Sequence, residues 1–347
     1  MSTLTKIEPP GFAQAPDLLW RNVPLDHRTE VRAFGVPVLV ESNAARVIEL
    51  IEEVYGPLAR GSGVNGRHPH SAGEADAEPA PVRLRLIVEP TRMQPTELES
   101  VQWRVPDPDH VLLKAHGVVG WFDLAAADGI VYVEESYLQS KGRFCDAVIK
   151  APVLTLVTRR DRHPIHAAAV RRGDAALLLH GRSGTGKSTL CYVASRAGLD
   201  VLSDDAVRVQ LTPELRVWGT PGSVHLLDDA AARFGVVPAP DSRRFMHTGK
   251  SKYVVGVPVT ASDALPYVRR ARVCLLRRNG GRVAYAPASP DEIADAILSA
   301  PESQSDMYPA GRVPAAQALA ARGGWSLTLS DDAEEALPHL HEMLTQL

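Results

Sequence analysis

Cysteine is scarce in this chain: there are three in 347 residues, Cys145, Cys191 and Cys274. They are odd in number and far apart, which excludes a disulfide framework and a CxxC metal knuckle, and such usage suits a reducing cytoplasm. An excess of either charge is also lacking. Lys plus Arg is 38 against 41 for Asp plus Glu, a formal net charge of −3, so the overall balance points to neither nucleic acid nor an anionic membrane as partner. No apolar run approaches the roughly 20 residues that cross a bilayer. The first residues, MSTLTKIEPPGFAQAPDLLW, have no basic-then-apolar leader pattern. No internal repeat and no heptad array is present, which excludes solenoids and coiled coils. What is there is an ordinary globular profile, 45% hydrophobic and 23% charged, in a length that suits two domains at roughly 150 residues each.

The first half reads as a smaller mixed α/β domain. Val31 to Val40 is strand-like, and Ser42 or Asn43 can cap a helix that carries Val47, Ile48, Ile51, Val54 and Tyr55 on one face and ends at Gly56-Pro57. Residues 61 to 81 are rich in Gly, Ala, Pro, Ser and charge and read as a flexible exposed insertion at about 60–80. His68 and His70 lie within it without further ligand types nearby and read as solvated. Strand-like runs resume at Val82 to Val88, Val111 to Lys114, Val118 to Phe122 and Ile130 to Val133, followed by helical stretches around Arg143 to Lys150 and from Pro152. The expected boundary is near residue 140, giving an accessory domain over 1–140 and a second domain over 141–347.

The second half carries the chemistry. An apolar run, Ala175-Ala-Leu-Leu-Leu-His180, leads into Gly181-Arg-Ser183-Gly184-Thr185-Gly186-Lys187-Ser188-Thr189, which fits G-x-x-x-x-G-K-[ST]. A helical pattern follows, with Leu190, Val193, Ala194 and Ala197 on one face and Gly198 as terminator. Strand, glycine-rich loop and helix together form a phosphate cradle: backbone N–H groups converge where a Cβ would obstruct, and the helix N-terminus favours negative charge. Lys187 then offers a charge to the β- and γ-phosphates of ATP and Ser188 a hydroxyl to Mg²⁺. The next apolar strand ends in Asp204-Asp205, so one carboxylate can hold Mg²⁺ with Ser188 while its neighbour accepts a proton from an attacking hydroxyl; the plain alternative is a solvated Asp-Asp turn. Upstream, His166-Ala-Ala-Ala-Val170, Arg171-Arg-Gly-Asp174 and Ala175 to His180 read as a hairpin that brings His166 to the same crevice if its strands are antiparallel.

These linked elements, with their intervals, resemble the catalytic domain of the HPr serine kinase/phosphorylase family, and more closely its stand-alone HPr kinase-related members. Residues 160 to 210 carry the resemblance strongly and 211 to 335 weakly, the latter including Trp218-Gly-Thr-Pro-Gly-Ser-Val-His-Leu-Leu-Asp228-Asp229. The resemblance implies an α/β P-loop kinase domain with a mixed sheet, related to phosphoenolpyruvate carboxykinase. It implies ATP- and Mg²⁺-dependent transfer to a Ser or Thr hydroxyl of a protein or peptide acceptor, with peptide-modifying kinases among the relatives, and leaves room for a homo-oligomer. By carry-over Asp205 is the general base, Asp204 the carboxylate near Mg²⁺, with the two roles exchangeable, and His166 an active-site residue orienting the loop or the acids. Ser188-Thr189 stands where the bifunctional enzyme has Ser-Glu, and its Arg-Gly-Leu-Gly signature is absent, so phosphorylase activity is not implied.

A basic cluster, Arg243 to Lys252, offers Arg244, Lys250 or Lys252 as phosphate contacts, without a basis for choosing, against the alternative of a solvated charged loop. Further on, Val273 to Leu276 and Val283 to Tyr285 read as a hairpin around Asn279-Gly280-Gly281, Ser289-Pro-Asp-Glu292 as a capping box, and Asp332 to Leu347 as a final helix. The alternatives to a protein or peptide kinase are an NTPase switch, a nucleotide-sensing regulator and a kinase of a small-molecule hydroxyl.

Overall fold

The computed structural model describes residues 23–60, 79–92, 101–237, 243–245, 251–259, 266–278, 281–300 and 309–347. The chain is mixed α/β and divides into two compact units, one of Met1–Gly56 with Pro79–Arg159, the other of Pro57–Glu78 with Arg160–Leu347. His68, His70, Lys250 and the Asn279-Gly280 turn lie outside the described residues.

In the first unit, β1 (His27–Ala33), β2 (Val36–Ser42), β3 (Val82–Glu89), β4 (Gln102–Asp107), β5 (His110–Ala115), β6 (Val118–Asp123) and β7 (Asp128–Glu134) build a mixed sheet, and α1 (Ala45–Arg60), most of which belongs to this unit, follows β2 in the chain. Its order is β1-β2-β3-β7-β6-β5-β4, with β3 parallel to β2 and β7 and the other pairs antiparallel. The run Val31 to Val40 is thus two strands. Phe34 and Gly35 both take positive φ, 53° and 77°, the primed turn that two-residue hairpins use. Helix α1 passes through Gly56-Pro57 to Arg60, since a proline inside a helix costs a hydrogen bond and a bend without forbidding continuation.

Helix α2 (Lys141–Arg143), a wider π-type turn over Phe144–Lys150, and α3 (Ala151–Val157) follow without interruption. They bury Phe144, Val148, Ile149, Val153 and Leu156, and α3 packs on β1, β3, β6 and β7. The units therefore divide after Arg159 and not near residue 140: the apolar face of this helical run is spent on the first sheet, where each fully buried Leu or Ile contributes about 1.5–3 kcal/mol.

The second unit contains β8 (His163–Ile165), β9 (Ala168–Arg172), β10 (Ala175–His180), α4 (Lys187–Arg196), β11 (Asp200–Ser203), β12 (Val207–Gln210), β13 (Arg216–Trp218), β14 (Ser223–Leu226) and α5 (Asp228–Arg233). These are followed by β15 (Arg243–Phe245), β16 (Ser251–Gly256), β17 (Tyr267–Val268), β18 (Arg270–Arg278), β19 (Ala284–Ala288), α6 (Pro290–Ser299), α7 (Pro309–Ala320), β20 (Gly324–Leu329) and α8 (Leu337–Thr345). The main sheet has the order β11-β9-β10-β18-β20-β19, and two smaller sheets run β17-β13-β12-β8 and β14-β16-β15.

Alternation along β10 fixes the layers, because successive side chains point to opposite faces. Leu177 and Leu179 join Leu190, Cys191 and Ala194 of α4 and Leu340, Met343 and Leu344 of α8. Ala176 and Leu178 join Ile293 and Ile297 of α6 and Ala315, Ala316 and Leu319 of α7. The expected β18–β19 hairpin does not form: β20 lies between them, parallel to β18 and antiparallel to β19, because its buried Trp325, Leu327 and Leu329 claim the interior position. Ser289 does cap α6, its Oγ accepting from the Glu292 N–H at 3.2 Å, but the reciprocal half of the box is not made, the Glu292 carboxylate pairing with Arg277 instead. Among the described residues no helix is long and apolar enough to cross a membrane.

Candidate active site

One edge of the main sheet gathers the chemistry, and strand direction explains why. Strands β9 and β10 form the expected antiparallel hairpin, with Ala168 opposite Leu179, so the start of β9 lies beside the end of β10. Strand β11 is antiparallel to β9 and therefore runs in the same sense as β10, with Ser203 opposite Ala169. His166 just before β9, the glycine-rich loop just after β10, and Asp204-Asp205 just after β11 thus come to a single edge. Residues up to 39 positions apart in sequence, His166 and Asp205, become neighbours through two strand reversals.

The loop is tightly seated. A Cβ on Gly181 would meet the Leu276 carbonyl oxygen at 3.1 Å, so the chain leaves β10 pressed close against β18, and a side chain there would require that backbone to give by a few tenths of an ångström. Gly186 takes a left-handed φ of 106° and hands the chain to α4, whose first internal bond runs from the Leu190 N–H to the Gly186 carbonyl at 2.8 Å. The first-turn N–H groups of α4 have no carbonyl partners within the helix and face the loop end. Ser183 and Gly184 are exposed and Thr185, Ser188 and Thr189 half-buried. Thr185 closes the loop on itself, its Oγ1 donating to the Arg182 carbonyl at 2.6 Å. Lys187 is nearly buried, and its Nζ donates to the Gly181 carbonyl at 2.6 Å and reaches that of Arg182 at 3.4 Å, so the ammonium lies folded over the loop.

The two acids differ sharply. The Asp204 side chain is 3% exposed and that of Asp205 50% exposed. Oδ2 of Asp204 accepts from the backbone N–H of His225 at 2.7 Å and meets the His225 Nδ1 at 3.0 Å. Its Oδ1 is buried and has no hydrogen-bond partner among the described residues, a costly state for a carboxylate oxygen unless a ligand satisfies it. Asp205 instead faces Nδ1 of His166 at 3.7 Å. Burial pushes the His166 imidazole below its ordinary value; Asp205 opposes that shift, while Lys187, His180 and Lys252 add to it.

The same charges locate the remaining groups. Burial pushes the Cys191 thiol of α4 well up, with Asp204 adding and Lys187 opposing, so both side chains are felt at one point of α4. Of the three basic candidates, Lys252 on β16 acts on His166, and Arg244 on β15 stands directly across the strand pair from Lys252. Sequence reasoning missed His225, although it lies in the segment that carries the weaker resemblance. It also gave no role to His180, whose Nδ1 and Nε2 lie 3.0 Å from the carbonyls of His166 and Ala296.

These residues fit a nucleotide phosphate chain and its cation: a glycine-rich loop leading into a helix N-terminus, a nearby ammonium, a hydroxyl at Ser188 and a buried carboxylate oxygen of Asp204 with no partner among the described residues. Among the described residues no group of three His, Cys, Asp or Glu side chains forms a metal cage. A Mg²⁺ held through nucleotide phosphates would need none, since it takes most ligands from phosphate and water.

No family model matches the chain, and no curated protein matches it. Among solved structures, the HPr(Ser) kinase/phosphatase from Coxiella burnetii is similar at 12% identity over 54% of this chain and 100% of that one, with a TM-score of 0.28. A likeness at that level carries no argument, so the functional reading rests on the geometry of the site.

Proposed function

We propose that the second unit is an ATP- and Mg²⁺-dependent phosphotransferase that moves the γ-phosphoryl group to a hydroxyl, that of Ser or Thr in a protein or peptide acceptor. The observation that carries the reading is the convergence of His166, the glycine-rich loop with Lys187, and Asp204-Asp205 on one sheet edge. The loop amides, from Gly181 through Thr189, cradle the phosphates, and Lys187 turns its charge from the loop carbonyls to the β- and γ-phosphates. Ser188 and Asp204 would hold Mg²⁺, which when bound neutralises charge on the phosphate oxygens.

Asp205, half-exposed and beside His166, takes the acceptor proton as the acceptor oxygen bonds to phosphorus and the bond to the ADP oxygen breaks. His166, kept toward its neutral form by burial, orients that carboxylate without neutralising it. Lys252 adds positive charge at the same edge. The first unit, which has its own sheet and no catalytic motif, is assigned to acceptor recognition.

Incubation with γ-labelled ATP, Mg²⁺ and candidate proteins or peptides encoded beside this chain, followed by mapping of the label, tests the reading. A labelled Ser or Thr supports it. Free phosphate alone makes the protein an NTPase, a labelled metabolite makes it a small-molecule kinase, and neither product leaves a nucleotide-binding regulator.

A further inference from the structure

We infer that His225 is a positioning residue for Asp204, holding Oδ2 so that Oδ1 is presented to the cation. The inference rests on the phosphotransferase reading and extends it to a residue outside the loop and the acid pair.

The local fold explains how one residue makes both contacts. Strand β14 alternates, with Val224 and Leu226 buried in the core beside α4, so His225 projects from the opposite face. β14 is also the edge of its small sheet and pairs only with β16 among the described strands, His225 standing opposite Val254. Its outward N–H, an exposed edge donor that would otherwise need water, is taken by Asp204. The ring then adds a second contact on the same oxygen. That contact requires the proton on Nδ1, since Asp204 as a carboxylate can only accept.

Two donors on one oxygen fix more than one does. A single bond from the N–H would leave the carboxylate plane free to swing about the last side-chain torsion, which is broad for Asp. The imidazole fixes the plane and with it the direction of Oδ1, the atom left buried and unpartnered among the described residues. Close packing supports the arrangement from behind, because β14 packs against both β11 and α4. Outer partners of metal-binding carboxylates act in this way, and their loss typically costs about 10- to 100-fold in metal affinity.

The test uses the full chain with His225→Ala, His225→Asn and His225→Gln. The readouts are Mn²⁺ binding in the presence of ADP, followed by electron paramagnetic resonance, and the Mg²⁺ dependence of turnover. The expected result is a weakening of metal binding by about 10-fold or more in His225→Ala, with ADP affinity in EDTA unchanged. His225→Asn, whose side-chain amide nitrogen reaches the place of Nδ1, recovers most of the loss, and His225→Gln, whose nitrogen lies further out, does not.

Wild-type metal binding in a folded His225→Ala, or equal behaviour of the Asn and Gln variants, overturns the inference. If His225→Ala loses its fold, the Asn–Gln contrast decides alone. Wild-type protein that shows no ADP-dependent Mn²⁺ binding removes the phosphotransferase reading and this inference together. Strong wild-type binding with no contrast among variants removes only this inference.

Discussion

Nδ1 of His166 lies 3.7 Å from Oδ1 of Asp205, a pair closed between the start of β9 and the end of β11. The carboxylate is half-exposed and open to an acceptor, while the imidazole is more deeply set. Asp204, its neighbour in sequence, is turned inward onto His225 instead. Adjacent acids with opposite exposures are suited to different tasks, and they are expected to separate kinetically.

Asp205→Asn should retain nucleotide and metal binding and lose transfer by about 10²-fold or more, the scale of a general base. Asp204→Asn should instead raise the Mg²⁺ concentration needed for half-maximal rate. Initial rates over a Mg²⁺ series check both. An exchange of the two phenotypes would exchange the roles, and normal rates in both variants would reduce the pair to a turn.

Lys187→Ala should lower kcat by about 10²-fold or more, as expected for removing one preorganised electrostatic contact. The ammonium in the structure bonds to the loop's own carbonyls at Gly181 and Arg182, so a modest loss of loop order is also expected. Circular dichroism and thermal unfolding should otherwise match wild type. Unchanged turnover in a folded variant would remove the loop from the mechanism.

His180 makes stability depend on pH. Burial pushes its imidazole below the ordinary value, against the carbonyls of Ala296 and His166, and the charges of Lys187 and Arg312 push the same way. The unfolded chain then binds a proton near a pH of about 6.5 while the folded chain still does not. Stability from this residue is therefore complete above that pH and falls as pH drops through the unfolded value toward the folded one. Denaturant midpoints from pH about 7.5 to 5 should decline, and His180→Asn, though less stable at neutral pH, should show a shallower decline. Parallel slopes for the two proteins would contradict this.

Local signals made part of this fold legible in the sequence. The β9–β10 hairpin, the loop and α4 each carry their own pattern in a few contiguous residues: an alternating run, a spaced glycine set, and Leu190, Val193 and Ala194 at helical intervals. The turn at Phe34–Gly35 was hidden because a Phe rarely occupies positive φ. Helix α7 was hidden by the prolines at 309 and 314, of which Pro314 lies inside it. The place of β20 between β18 and β19 depends on pairings distant in sequence, which no local pattern reports. The same limit applied to His225: its contact with Asp204 spans 21 residues and arises only when β14 reaches the end of β11.

Gly219, directly after β13, presses closely on β11. A Cβ there would lie 2.1 Å from the carbonyl oxygen of Leu202 and 2.7 Å from its carbonyl carbon and Cγ, so no rotamer change relieves the clash and backbone must move. Leu202 is fully buried on β11, two residues before Asp204, and the Gly219 N–H is tied to the Pro266 carbonyl at 3.0 Å. Neither side has room to yield. Gly219→Ala should therefore destabilise the protein by about 1–3 kcal/mol, as overpacking does, and also weaken Mg²⁺-dependent transfer by shifting Asp204. Gly256→Ala supplies the control, since a Cβ at Gly256 meets nothing within 4 Å, and its effect should stay within about 0.5 kcal/mol. Denaturant titration of both variants, with the Mg²⁺ midpoint measured on the folded fraction, checks the pair. Equal stability of the two would show that β11 tolerates displacement at Leu202, and unchanged Mg²⁺ dependence in a destabilised Gly219→Ala would show that Asp204 is held independently of the strand behind it.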